Sequence, residues 1–136
     1  MEKRVIYCCG CNEKVFATLT TGKEIYPTRT DLHLLPFWVC NICKNYVGCH
    51  HKTTNNTTPL GCIPTKELRN ARMYIHALID PIWKNGIVKR NYLYKKISEK
   101  AGWKYHTSKI KTIEEARIIY LIAKKLINEI MVNTNV

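Results

Sequence analysis

Apolar and polar residues alternate over Lys14 to Thr20, with Val15, Ala17 and Leu19 on one face and Phe16 and Thr18 on the other. This is the two-residue period of a half-buried strand, and Thr21-Gly22 closes it. Arg4 to Tyr7 is a shorter β-leaning stretch ahead of it. Pro27 through Pro36 reads as a connecting loop in which Leu32, Leu34 and Leu35 are apolar enough to pack under a small sheet. Phe37-Trp38-Val39 and Tyr46-Val47 supply two more short strands, and the expected product is a small antiparallel sheet. The polar run from His50 to Pro59, which includes Thr53-Thr54-Asn55-Asn56-Thr57-Thr58, is an exposed loop expected to join two halves.

Past Pro64 the period becomes helical. Leu68, Ala71, Ile75, Leu78, Ile79 and Ile82 recur at spacings of three and four, with Thr65 placed to cap and Glu67 suited to the positive end. Asp80-Pro81 predicts a kink or restart, because proline lacks an amide hydrogen and clashes with the preceding turn, and Gly86 is the stop. Lys89 to Ala101 predicts a second helix with Leu93, Ile97 and Ala101 on one face and Gly102 ending it. The third has the clearest signal. Thr112 and Glu115 form a capping box, and Ala116, Ile119, Tyr120, Ala123, Leu126, Ile127 and Ile130 make one broad apolar stripe to about Met131. Asn133 to Val136 are expected to fray. The class is therefore α+β: an N-terminal ribbon over residues 1–62 and a three-helix half over 63–136.

Charge divides unequally between these halves. Of the net +12 of this 136-residue chain, residues 1–62 carry seven Lys/Arg against four Asp/Glu, and residues 63–136 carry fifteen against six. Lys84 to Lys111 holds nine basic residues and one acid, Glu99. Such a density attracts phosphate backbones and releases their counterions on contact. The competing reading is a solvated lysine-rich face. No apolar run approaches the about 20 residues that cross a bilayer. With neither a signal-peptide opening nor a lipidation signal, the expected location is the cytoplasm, with no membrane partner.

Seven cysteines add a second kind of chemistry. Cys8 and Cys11, then Cys40 and Cys43, form two Cys-x2-Cys turns, each aiming two thiolates at one centre. Two such turns complete the tetrahedron that Zn2+ accepts from four sulfurs. The long gap between them costs little, since each doubling of a loop adds about 0.6 kcal/mol. A c-type haem requires His after the second cysteine, where Asn12 and Lys44 stand. No helical pattern follows either pair, which disfavours a thioredoxin-like dithiol, and an odd cysteine count disfavours a disulfide framework. The ribbon is too small to bury much core, so the metal is expected to supply its folding energy, while the helices persist without it.

Tyr46-Val47-Gly48-Cys49-His50, Pro59-Leu60-Gly61 and Glu67-Leu68-Arg69, continuing through Arg72, His76 and Ile79-Asp80-Pro81-Ile82-Trp83, make the sequence similar to a known family. It resembles the zinc-finger-containing domain family of phage and bacterial proteins, which has no established function. Tyr92 to Gly102 looks like that family's later helix. His106 stands where the family pattern has His-Ile-Gly, although Thr107 and Ser108 follow here. The resemblance implies a zinc-bearing domain of phage or mobile-element origin and no particular activity. Cys9, Cys49 and Cys62 have no ligand counterpart in it, and His50 is a candidate to replace or support a cysteine.

Three functional readings follow. The first is nucleic-acid binding to DNA or RNA through Lys89, Arg90, Lys95, Lys96, Lys100, Lys104, Lys109 and Lys111, with Tyr92, Tyr94, Trp103 and Tyr105 interleaved as stacking candidates. Trp38, Trp83 and Tyr120 sit at apolar positions and read as core. The second is a phage-encoded inhibitor that uses the same face on a host protein with an acidic or DNA-binding groove. The third is a metal-dependent hydrolase drawn from His50, Arg69, His76, Asp80 and His106. There His76 and Asp80 share a helix face, and Arg69 and Arg72 hold phosphate from the preceding turns. No recognised nucleophile, phosphate loop or His-Glu-x-x-His motif accompanies that set, so a structural His76–Asp80 pair is its simpler explanation.

Overall fold

A computed structural model describes residues 2–134, apart from the side chain of Thr134. Its contacts divide the chain into two compact units, one through Lys66 and one from Glu67.

The first unit is a four-stranded antiparallel sheet in sequential order: β1 (Lys3–Cys8), β2 (Glu13–Thr21), β3 (Pro36–Cys40) and β4 (Tyr46–Gly48). Alternation sets the register. Ile6 pairs with Val15, Ala17 with Cys40 and Trp38 with Val47, all buried, whereas the Val5–Phe16 pair one residue along faces solvent. Trp38 is the one large side chain in a core otherwise made of Ile6, Val15, Ala17, Val47, Ile63 and cysteines. So small a core needs a further staple.

A four-residue helix, α1 (Gly22–Ile25), turns the chain after β2. Gly22 donates its N–H to the Leu35 carbonyl at 2.8 Å, and a Cβ there would lie 1.7 Å from the Leu32 carbonyl oxygen. The return loop is therefore seated by its backbone. Its leucines do not all pack as the pattern predicts: Leu32 and Leu35 are half-buried, but Leu34 is 94% exposed. The apolar contacts beside the loop come instead from Tyr26, Phe37 and Tyr46, which meet edge to face at 5.5 to 5.9 Å.

The polar stretch 50–59 folds back on the sheet instead of spanning outward as a joining loop. The Trp38 indole donates to the Thr57 carbonyl at 2.6 Å, His50 N–H to Thr58 O at 2.9 Å, and Leu60 N–H to Gly48 O at 2.9 Å. Ile63 then lies beside the end of β1, its N–H donating to Tyr7 O and its carbonyl accepting from Cys9 N–H, both at 2.8 Å.

The second unit holds α2 (Lys66–Lys84), α3 (Arg90–Ala101) and α4 (Ile113–Thr134). Pro81 does not break α2 as its type predicts. It falls in the last turn, where it removes a single amide bond, and buried Ile79 and Ile82 on either side keep that turn helical. Gly86 follows at φ +73°. At the end of α3, Gly102 takes φ +86° and its N–H bonds Ser98 O at 2.9 Å, the left-handed stop that glycine adopts at least cost. α4 starts on the predicted cap, Glu115 N–H donating to Thr112 Oγ1 at 3.1 Å, and runs three residues past Met131. Of the stretch Asn133 to Val136 expected to fray, Asn133 and Thr134 are still helical, and Asn135 and Val136 lie outside the described residues.

α3 packs on α4, and Leu68, Ile75, Ile79, Leu93, Ile97, Ile119 and Ala123 are all buried. Arg72 is buried as well, with its guanidinium donating to the Ile110 carbonyl, so it ties α2 to the segment before α4 and is not placed to hold phosphate. No helix among the described residues is long and apolar enough to cross a membrane.

Candidate metal centre and basic cavity

The two cysteine turns meet. The sulfurs of Cys8, Cys11, Cys40 and Cys43 all lie within 4.8 Å of one another, with Cys8–Cys43 at 3.4 Å and Cys11–Cys40 at 3.6 Å. These separations exceed a disulfide's about 2.05 Å. They bracket the about 3.8 Å edge of a tetrahedron of thiolates each 2.3 Å from a zinc ion. The residues present fit a tetrahedral metal.

Each turn is built the same way. Its first cysteine ends a strand, β1 or β3, and accepts backbone N–H bonds from the residues two and three further on: Gly10 and Cys11 for Cys8, Ile42 and Cys43 for Cys40. The residue after each second cysteine is left-handed, Asn12 at φ +59° and Lys44 at φ +67°. The amides thus point inward at sulfur, as a thiolate requires. Asn45 donates from its side-chain amide to Cys43 Sγ at 3.2 Å, and any Cβ on Gly10 would approach that amide to 2.7 Å and Cys43 Sγ to 3.3 Å. Neither Asn45 nor Gly10 stands out in the sequence, because the cysteine spacing marks ligands and not what orients them.

Without a metal, burial pushes the Cys8 thiol up and, helped by the neighbouring sulfurs, takes Cys11 up to about 12. At Cys40 burial acts upward too, but the amides of Cys43 and Ile42 and the neighbouring thiols bring it down to about 7. A cation that binds here displaces the thiol protons that remain.

The other sulfur and nitrogen candidates fall outside this cluster. Cys49 is buried in the sheet core, where burial raises its pKa, and His50 is exposed in the loop that follows. Cys9 and Cys62 approach one another to 3.6 Å beside the β1–Ile63 contact but are not members of the four-sulfur group.

In the helical unit, seven of the eight basic candidates are exposed, and Lys96 is half-buried. Lys96 lies 3.5 Å from Glu99 and Lys100 lies 3.8 Å from Glu129. Arg90, Lys95, Lys104 and His106 line one open cavity of about 360 Å³, floored by Tyr94 and Tyr105. The Arg90 guanidinium lies 4.3 Å over the Tyr94 ring. Burial and then the charges of Lys109, Lys104 and Arg90 hold His106 below the ordinary imidazole range. Among the stacking candidates, only Tyr92 and Trp103 are exposed. Tyr94, on the inner face of α3, and Tyr105, in the segment after it, are core, their rings 5.0 Å apart and the Tyr105 hydroxyl bonded to Thr107. Of the residues read as core, Trp38 is buried, whereas Trp83 and Tyr120 are half-buried.

Within the helical unit, the hydrolase candidates Arg69, His76, Asp80 and His106 do not share one cavity. His76 Nδ1 lies 3.3 Å from an Asp80 carboxylate oxygen, and the Trp83 indole donates to Asp80 at 3.0 Å. This pair borders a shallow cavity with Lys84 and Asn85, whereas His106 lines the α3 cavity, His50 belongs to the sheet unit, and Arg69 is half-buried on α2. A His–Asp–Trp relay of this kind orients side chains without creating an open ligand position.

Comparison with known proteins agrees with the sulfur geometry. No curated protein and no solved structure matches the chain. A family model described as a zinc-finger-containing domain matches residues 4–129, which include both cysteine turns and most of the helical unit. With its four sulfurs gathered as a metal would need them, and with the match spanning nearly its whole length, the chain belongs to the family of zinc-finger-containing domains.

Proposed function

We propose that this protein is a nucleic-acid-binding module in which Zn2+, held by Cys8, Cys11, Cys40 and Cys43, stabilises the sheet unit, while the basic surface of α3 and the segment to Lys111 contacts phosphates of DNA or RNA. Zinc suits the centre because its filled d shell accepts a tetrahedron of four thiolates without redox chemistry, and a closed set of four protein ligands is structural. One observation carries the binding role: Arg90, Lys95, Lys104 and His106 share a cavity lined by no carboxylate. Exposed Lys89, Lys109 and Lys111 extend the same charge along the chain. Exposed Tyr92 and Trp103 lie next in sequence to cavity residues and offer π faces to unpaired bases. No arrangement for reading base edges accompanies them, so the reading is of backbone and shape.

The test is binding of labelled duplex and single-stranded oligonucleotides at two or more salt concentrations. The expected result is a logarithmic affinity falling linearly with logarithmic salt, with a slope of about 0.9 per duplex phosphate contacted. A flat response, or capture of a protein partner that persists after nuclease treatment, assigns the face to protein recognition instead.

A further inference from the structure

We infer that the α3 cavity is a seat for a phosphate monoester at the end of a nucleic-acid strand, gripped by Arg90, Lys95 and Lys104 with His106 at its wall. The inference rests on the nucleic-acid reading above and adds a preference within it.

Three obligate cations and no acid line this cavity, and the one carboxylate whose charge reaches its floor at Tyr105 is that of Asp80, already bonded by the Trp83 indole. Elsewhere on the unit the lysine charge is partly answered locally, as at Lys96–Glu99 and Lys100–Glu129. An internal phosphodiester carries one negative charge, whereas a terminal monoester carries about 1.5 to 2 near neutral pH. A concave site with several like charges rewards the second charge more than a flat lysine surface does, since each cation interacts with the whole ligand charge at short range and with less solvent between. The shape agrees. A cavity of about 360 Å³ takes a phosphate together with part of its sugar, and a duplex interior offers no such protruding group.

Two features pre-organise the seat. The Arg90 guanidinium lies 4.3 Å over the Tyr94 ring and 5.7 Å from the Trp83 ring, contacts that restrict a side chain whose planar fork suits two-pronged donation to phosphate oxygens. Ser98 Oγ donates to Tyr94 O at 2.9 Å and accepts from Tyr105 N–H at 2.8 Å, locking the cavity floor to the chain that carries Lys104 and His106.

The experiment compares, in the metal-loaded full chain, single strands of one sequence ending in a 5′-phosphate, a 3′-phosphate or hydroxyls only, by fluorescence anisotropy, with inorganic phosphate as competitor. A phosphorylated end is expected to bind at least tenfold tighter than the hydroxyl strand, and the two phosphorylated strands report which end is held. Lys104→Ala and Lys95→Ala, both at exposed positions, are expected to weaken all three strands but to remove that advantage, the phosphorylated strand losing at least tenfold more than the hydroxyl strand. Arg90→Lys keeps charge without the planar fork and is expected to remove part of it. Lys124→Ala, exposed on α4 and away from the cavity, is expected to leave it intact. Inorganic phosphate that erases the difference without displacing the strand supports a seat for the phosphate group itself. Equal, salt-sensitive binding of all three strands overturns the terminal seat and leaves the nucleic-acid reading standing. No binding of any strand overturns both.

Discussion

Asn12 and Lys44 occupy equivalent places in the two cysteine turns, each in the left-handed backbone region directly after the second cysteine, at φ +59° and +67°. Asparagine enters that region easily, and its Oδ1 is engaged by the Tyr7 hydroxyl at 2.8 Å. Lysine has no such aptitude. The left-handed conformation costs a side-chain-bearing residue about 1 to 2 kcal/mol, and glycine avoids this but loses about 0.5 to 1 kcal/mol in chain entropy. Lys44→Gly is therefore expected to be neutral or stabilising by up to about 1 kcal/mol, and Lys44→Val to destabilise by at least about 1 kcal/mol. Thermal unfolding of the metal-loaded protein checks both signs.

Chelation separates the two units. The sheet unit has one large core side chain, whereas the helical unit buries apolar faces of all three long helices. Removing the metal is expected to unfold the strands while most helical circular dichroism persists, and amide exchange is expected to accelerate in β1–β4 and not in α4. Cys40→Ser should reproduce the effect. Cys9→Ser with Cys62→Ser should leave one metal bound per chain.

Much of this arrangement was legible in the sequence, and the departures share a cause. Cysteine spacing, strand alternation and the Thr112–Glu115 cap are local signals, and local signals give strands, turns and helix starts. What they miss depends on tertiary surroundings. Pro81 stays helical because Ile79 and Ile82 are buried beside it, Leu34 is exposed because backbone bonds seat its loop, and the 50–59 stretch folds back because the Trp38 indole claims the Thr57 carbonyl. Tyr94 and Tyr105 fit a stacking pattern and a core pattern equally, and only packing decides. Of the cavity, Arg90, Lys95 and Lys104 were legible as basic residues, His106 only as a member of the hydrolase set, and the concavity not at all, since Arg90 and His106 are brought together by the turn at Gly102.

Trp38 tests the fold-back directly. It is 1% exposed, and its indole N–H is bonded at 2.6 Å. Trp38→Ala is expected to cost about 3 to 5 kcal/mol. Trp38→Phe keeps most of the volume but strands the Thr57 carbonyl, at about 1 to 3 kcal/mol. The latter should also raise proteolytic susceptibility within residues 50–58.

His106 gives a pH signature. Its folded-state pKa lies below the ordinary 6.5, so the unfolded chain binds more protons and stability rises with pH across that interval. The contribution is complete above pH 6.5 and is lost as pH falls through the folded value. Relative to His106→Gln, the native protein should lose melting temperature below that point and track the variant above it. Parallel curves throughout would show that neither burial nor the surrounding cations act on this ring.

The four-sulfur centre is tested most directly by X-ray absorption at the zinc edge of protein purified without added chelator, alongside metal content per chain. One zinc per chain is expected, surrounded by four sulfurs at about 2.3 Å and no nitrogen or oxygen. Mixed ligation, a substoichiometric ion, or pairing of Cys8, Cys11, Cys40 and Cys43 into disulfides would contradict the account.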